Sequence, residues 1–126
     1  MEFFIRQGAT DPILKMRLID DGKNDKSSYN NKLEESASNE FITFEMFDIK
    51  TGNPVILNGV CYVTSRTKLY NHVTDEYYII YRFSEEQTSI TGRFEGKFKI
   101  TFLDSSQSPT IKLIMPIREK LYINVI

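Results

Sequence analysis

Few residues of this chain have side chains that could carry out chemistry. Among 126 residues there is one histidine, His72, and one cysteine, Cys61. A zinc or iron site built from several imidazoles would therefore need more than one chain. Cys61 lies in the apolar run 60–63, where a thiol usually serves as a small hydrophobic group of the core. His72 lies in a polar run that we interpret as a solvated loop, so no thiolate–imidazole dyad is indicated.

Acidic side chains occur as adjacent pairs at 20–21, 34–35 and 85–86. General acid–base catalysis needs carboxyl groups that converge from separate elements and differ in pKa, which neighbours in polar loops do not provide. The run 20–25 contains oxygen ligands but lacks the alternation and the closing glutamate of a calcium loop. There is no glycine-rich phosphate loop and no nucleophile elbow. We therefore predict that the chain is not an enzyme and binds no cofactor or metal ion.

Charge and hydropathy argue against two further classes of partner. The chain has 16 basic and 17 acidic residues and a net charge of −1. No basic cluster exceeds two residues, so we expect no nucleic-acid partner. No apolar run approaches the roughly 20 residues that span a bilayer, and the N-terminus does not resemble a signal peptide, so we expect no membrane partner. The single cysteine excludes an intrachain disulfide and fits synthesis in a reducing compartment.

Alternating hydrophobic and polar residues predict that strands position these side chains. The clearest run covers 93–102, where every second residue is apolar except Gly96; its apolar members are Phe94, Phe98, Ile100 and Phe102. Successive side chains of a strand point to opposite faces, so this run predicts one dry face and one wet face. A wet face of mixed charge is typical of an antiparallel sheet that is open to water.

About eight short runs of this kind are separated by turn signals, which is typical of a two-sheet sandwich or a barrel. Pro12 predicts a break or a crossing between sheets, and Asn58 with Gly59 is the strongest hairpin signal in the chain. The polar run 23–40 has too few apolar side chains to offset the cost of ordering it. We expect a mobile loop there, either a tolerated insertion or a segment that orders on a partner. The length predicts a single domain over 1–126.

Five segments form a combination that extends beyond single strands. The run 5–14 is an apolar strand followed by Arg-Gln-Gly-Ala-Thr-Asp, then Pro12 and a second strand. The run 91–102 contains the spacing Gly-x-Phe-x-x-x-Phe-x-Ile-Thr-Phe, and shorter patterns occur at 18–23, 42–46 and 121–125. In this combination the chain resembles the immunoglobulin-like N-terminal domain of phage baseplate upper proteins and related small virion domains. It departs from that family at 23–40, where the family has a short proline-containing link.

The resemblance implies an antiparallel, immunoglobulin-like β-sandwich that has no catalytic residues. It also implies a structural protein of a bacteriophage particle, made in the host bacterial cytoplasm and assembled in several copies into a tail, baseplate or other virion appendage. The expected partners are other virion structural proteins and further copies of the chain. Two other functions stay open, namely a sandwich that binds carbohydrate or peptide, and a small β-barrel that holds an apolar ligand.

Apolar side chains on the wetter faces of the predicted strands are candidates for interface contacts. A structural subunit acts by burying surface against its partners, and aromatic residues are enriched in such interfaces. The run 76–83 is apolar on both faces, which indicates a strand that is partly covered on its outer side. The predicted interaction residues are Tyr29, Phe41, Phe47, Tyr78 and Ile80.

Overall fold

A computed structural model describes residues 1–17, 42–67, 74–102 and 111–126. Within these ranges the chain forms nine β-strands and no α-helix, which confirms the prediction of an all-β protein. The strands are β1 Glu2–Ile5, β2 Leu14–Arg17, β3 Ile42–Asp48, β4 Pro54–Val60, β5 Tyr62–Thr67, β6 Thr74–Tyr81, β7 Gly92–Phe102, β8 Ile111–Met115 and β9 Leu121–Val125. The predicted loop 23–40, His72 and the candidate residues Tyr29 and Phe41 lie outside the described residues.

The strands form two sheets. The large sheet has the order β1-β9-β7-β3-β4, with β8 also paired to β7, and the small sheet has the order β2-β6-β5. Every pair is antiparallel except β1 with β9, which is parallel. The eleven-residue β7 pairs with β3 along one edge. Along its other edge, β9 pairs with residues 92–96 and β8 with residues 98–102. The large sheet is therefore organised around β7.

The two-residue alternation of β7 separates core from solvent as predicted. Phe94, Phe98 and Ile100 are buried, while the charged residues between them lie on the opposite face. The gap at Gly96 is filled by the ring of Phe44 from the neighbouring strand β3. A Cβ atom added at Gly96 would lie 2.8 Å from Cζ of Phe44. The glycine therefore lets a ring of the adjacent strand approach the backbone of β7.

A cluster of aromatic rings joins the two sheets. The ring centroid of Phe44, from the large sheet, lies 4.7 Å from that of Tyr81, from the small sheet. Phe83 lies edge-on to both rings, and Phe98 lies 5.0 Å from Phe44. Aromatic pairs at these distances are stabilised beyond the burial of their area. The inward faces of the two sheets therefore share one hydrophobic core, which also includes Ile5, Leu14, Met16, Ile42, Met46, Ile79, Ile100, Leu121, Ile123 and Val125.

The predicted crossing at Pro12 is confirmed, because β1 belongs to the large sheet and β2 to the small sheet. The loop 82–91 holds the crossing segment in place. The backbone N–H of Gly8 donates to the Thr88 carbonyl at 3.0 Å, and the buried Thr88 hydroxyl donates to the Ala9 carbonyl at 2.9 Å. On the surface, Arg82 forms an ion pair with Asp11 at 2.7 Å.

The predicted hairpin at Asn58 and Gly59 is wrong. Both residues lie inside β4, and the chain then passes at Cys61 from the large sheet into β5 of the small sheet. A Cβ atom at Gly59 would lie 2.5 Å from Cε1 of Tyr81. Glycine is required here because the Tyr81 ring packs against the backbone and leaves no room for a Cβ atom. The absence of a Cβ atom is also what favours glycine in turns.

Candidate interaction surface

The two sheets have their outer faces on opposite sides of the core. The predicted interaction residues are distributed over both faces. Tyr78 and Ile80 lie on the outer face of the small sheet, since the intervening Ile79 is buried in the core. Phe47 lies on the outer face of the large sheet, next to the buried Met46. All three side chains are half-buried. The structure therefore does not bring the three described candidates together, and no single planar contact covers them.

The outer face of the small sheet combines aromatic and basic side chains. Strand register places Lys15, Ile80 and Tyr62 in one row across the three strands. The Lys15 ammonium lies 4.8 Å from the centroid of the Tyr78 ring, at the distance of a cation–π contact. Tyr62 is 52% exposed. This face suits contacts in which a tyrosine provides apolar area and a hydroxyl group together.

The outer face of the large sheet carries a row of four charges along β7. The first charge, Arg93, forms an ion pair with Glu2 at 2.6 Å, and its guanidinium lies 4.0 Å from the centroid of the Tyr122 ring. The last charge, Lys99, forms an ion pair with Glu45 at 3.3 Å. Both end charges of the row are thus compensated by neighbouring strands.

The two charges in the middle of the row, Glu95 and Lys97, are not compensated. Neither side chain forms a hydrogen bond or an ion pair with any residue in the described parts of the chain. Lys97 stands directly opposite Glu45 in the strand register, but the Glu45 carboxylate contacts Lys99 instead. Two opposite charges with free hydrogen-bonding capacity therefore lie side by side at the centre of this face.

Two shallow grooves meet at these charges. One has a volume of about 330 Å³ and the other about 480 Å³, and they share Glu95, Lys97 and Lys120. The smaller groove is bounded by apolar side chains of the β8–β9 segment, Ile114, Pro116 and Ile117. The larger groove is bounded by the rings of Phe47 and Tyr122. This surface, which we call the β7 face, has a charged centre, with Phe47 and Tyr122 on either side of Glu95 and Ile114 beside Lys99.

The outer edge of the large sheet also exposes apolar side chains. In the described residues β4 pairs only with β3, and its Val55, Leu57 and Val60 are 41%, 54% and 54% exposed. However, β4 begins at Pro54 and departs from regular register with β3 at two points. Proline and bulges hinder the addition of a further strand at an edge. The β7 face is therefore a better candidate for a specific contact than this edge.

Sequence patterns placed Phe47 and the charges of β7 on outward-facing sides but did not indicate that the β8–β9 segment belongs to the same surface. The alternation of β7 and β9 also predicts the outward orientation of Glu95 and Tyr122. The contribution of Lys120, Pro116 and Ile117 could not be predicted, because it depends on β8 and β9 lying along the same edge of β7.

The parts of the chain that the structure describes contain neither a metal-binding cluster nor a membrane-spanning helix. No group of three or more His, Cys, Asp or Glu side chains there is arranged to hold a metal ion. No helix in the same residues is long and apolar enough to cross a membrane. Cys61 is fully buried, which confirms its predicted place in the core. Burial raises the pKa of the Cys61 thiol to about 12, so this thiol is a weak nucleophile at neutral pH.

We expect this buried thiol to make the protein less stable at alkaline pH. The folded chain holds the thiol proton with a pKa of about 12, whereas the ordinary value is 9.0. The resulting stabilisation is complete below pH 9 and is lost as the pH rises from about 9 towards about 12. Urea denaturation at a series of pH values should show the decline in wild type and a smaller decline in Cys61→Ala.

The comparison with Cys61→Ala is needed because burial also raises the pKa of Tyr81, which acts in the same direction. Tyr81→Phe provides the matched control for that second group. If wild type and Cys61→Ala lose stability in parallel above pH 9, the thiol is not the cause.

No protein-family model, no curated protein and no solved structure matches this chain.

Proposed function

We propose that the chain is an immunoglobulin-like β-sandwich that acts as a non-enzymatic structural subunit of a bacteriophage particle. The strand order supports the immunoglobulin-like part of this proposal, and the role in the particle rests on the sequence resemblance. Immunoglobulin-like domains place strands B, E and D in one sheet and strands G, F and C in the other, and variable-type domains add C′ beside C. With β1 taken as strand A, the small sheet here has the order B-E-D and the large sheet the order G-F-C-C′; strand A lies beside G, whereas constant-type domains have it beside B.

This strand order agrees with what the sequence resemblance to phage baseplate upper proteins implies. In the proposed correspondence, β8 and β9 together take the place of strand G, since both pair with the same edge of β7. The segments that carry the resemblance include β3, β7 and β9, which are three neighbouring strands of the large sheet. Both the resemblance and the topology therefore concern the same part of the molecule.

The proposed mechanism is the burial of outer-face surface against further copies of the chain and against other virion proteins. Specific interfaces bury about 800 Å² per partner and are enriched in aromatic residues. Each sheet of this chain offers an outer face with aromatic side chains, Phe47 and Tyr122 on one and Tyr62 and Tyr78 on the other. A subunit with two such faces is able to contact two neighbours at once, as assembly into a tail, a baseplate or another appendage requires.

The test is the composition of the particle. Phage particles from the source host should be purified through a density gradient, and the chain should be quantified by mass spectrometry against the major tail protein. We expect the chain in the particle at a fixed number of copies, with its gene beside genes for tail or baseplate proteins. If the chain stays in the soluble fraction while intact particles lack it, the proposal is wrong.

A sandwich that binds carbohydrate or peptide is the second candidate, because the larger groove is bounded by the rings of Phe47 and Tyr122. A monomer whose Tyr122 resonances shift on addition of a glycan or peptide would favour it. The barrel with an apolar ligand is less well supported, since the strands form two separate sheets and rings of Phe44, Tyr81 and Phe98 lie between them.

A further inference from the structure

We propose that the β7 face is an isologous interface, at which a second copy of this chain docks about a two-fold axis that crosses β7 near Gly96. The inference deepens the proposed function by naming the surface through which copies meet. It rests on that function only in the expectation that copies assemble.

The charge pattern of β7 is the first argument. Glu95 and Lys97 are opposite in sign, lie two residues apart on one face and have no partner among the described residues. In an isologous contact residue i meets residue j of the other copy, and j meets i. A two-fold axis that lies in the interface and passes between Glu95 and Lys97 places each side chain opposite the other residue type. The uncompensated centre of this face is thus complementary to itself.

The compensated ends of the row support the same arrangement. The same axis brings Arg93 towards Lys99 of the second copy, a contact between like charges that would otherwise be repulsive. Glu2 already neutralises Arg93 and Glu45 already neutralises Lys99 within each chain. The repulsion between Arg93 and Lys99 of the two copies is therefore reduced. At the centre, Glu95 of each copy attracts Lys97 of the other.

Apolar side chains beside the charged centre of the β7 face supply area for the contact. Phe47 and Tyr122 flank Glu95 on the two neighbouring strands, and the exposed Ile114 stands opposite Lys99 on β8. Glu95 and Lys97 at the centre of the face can pair across the contact as the surrounding apolar surface is desolvated.

The size of the β7 face is sufficient for a stable contact. Five strands lie side by side in the large sheet. These strands, with the β8 segment beside β7, have between four and eleven residues; at about 4.8 Å between strands and about 3.4 Å per residue, the outer face measures roughly 600 Å². That area is at the lower end of standard interfaces, which bury roughly 800 Å² per partner.

Charge reversal tests the two-fold arrangement. The dissociation constant of the dimer is measured by sedimentation equilibrium at low ionic strength for wild type, Glu95→Lys, Lys97→Glu and the double variant Glu95→Lys/Lys97→Glu. Each single reversal places like charges opposite each other twice, so we expect Kd to rise by at least about tenfold. The double variant restores both pairs with exchanged signs, so its Kd should return to within about threefold of wild type. Thermal melts confirm that all four proteins are folded.

Lys15→Glu is the matched control, because Lys15 is an exposed cation on the outer face of the small sheet, and we expect it to leave Kd unchanged. The inference is overturned if wild type is monomeric at every concentration, if the single reversals do not weaken the dimer, or if the double reversal does not restore it. A dimer lost in Lys15→Glu would place the contact on the small sheet. If the chain is monomeric yet present in purified particles, this inference is wrong and the proposed function stands. If the chain dimerises as described but is absent from particles, the inference stands and the proposed function is wrong.

Discussion

Replacing Phe44 by alanine is expected to lower the free energy of unfolding by about 4 kcal/mol, within the range of about 3–5 kcal/mol for buried aromatic residues. The Phe44 side chain is completely buried. Its ring contacts Tyr81, Phe83 and Phe98 with centroid distances between 4.7 and 5.8 Å. Because these neighbours belong to both sheets, the space left by the ring cannot be closed by a shift of one side chain. A large residual cavity raises the cost of such a substitution.

The measurement is urea denaturation of wild type and Phe44→Ala, with Phe4→Ala as the control. Phe4 is 56% exposed on the outer side of β1, so its truncation should cost less than about 1 kcal/mol. If Phe44→Ala also costs less than about 1 kcal/mol, Phe44 does not join the sheets as described.

Adding a single methyl group at Gly59 is expected to cost about 3 kcal/mol, at the upper end of typical overpacking effects. The new Cβ atom would lie 2.5 Å from Cε1, 2.8 Å from Cζ and 2.9 Å from the hydroxyl oxygen of Tyr81. The Tyr81 ring has little freedom to move, because it is stacked on Phe44 and its hydroxyl donates to Oε1 of Gln87 at 2.8 Å. Accommodating the methyl group therefore means displacing part of the core.

A double-mutant cycle separates this steric effect from a change in backbone preference. In a Tyr81→Leu background the ring is absent, so Gly59→Ala should cost less by more than about 1 kcal/mol. Asn58→Ala, an exposed substitution at the preceding position of β4, is the matched control and should have little effect. Equal costs of Gly59→Ala in the two backgrounds would mean that contact with Tyr81 is not the reason for glycine.

The orientation of individual strands could be predicted because it is a local property. Side chains of a strand alternate between faces whatever the strand pairs with, so the sequence placed Phe94 and Phe98 in the core and Phe47 outside. The crossing at Pro12 was predictable for a similar reason, since proline acts on its own backbone and on the residue before it.

The roles of Gly59 and Gly96 could not be predicted, because these roles depend on residues that are distant in the sequence. Gly59 and Gly96 accommodate the rings of Tyr81 and Phe44, which approach from other strands. In the sequence, Gly59 is part of a turn signal and Gly96 is an interruption of a strand. Only the pairing of strands distinguishes a glycine that faces a ring from one that forms a turn.

The same limit applies to the charges of the β7 face. Arg93, Glu95, Lys97 and Lys99 are equivalent in the alternation of the sequence. Glu2 and Glu45 reach only two of them, as determined by the register of β1, β9 and β3 with β7. Which charges remain uncompensated therefore follows from the fold.

The irregular course of β4 has a consequence wherever many copies of this chain are crowded together. Regular, hydrophobic edge strands promote fibril formation, because each added strand is itself a template for the next. The edge strand β4 is irregular, since Pro54 lacks an N–H and the pairing of β4 with β3 shifts in register at two points. Neighbouring molecules can still touch its valine and leucine side chains, but the addition of their strands to the sheet at β4 is hindered.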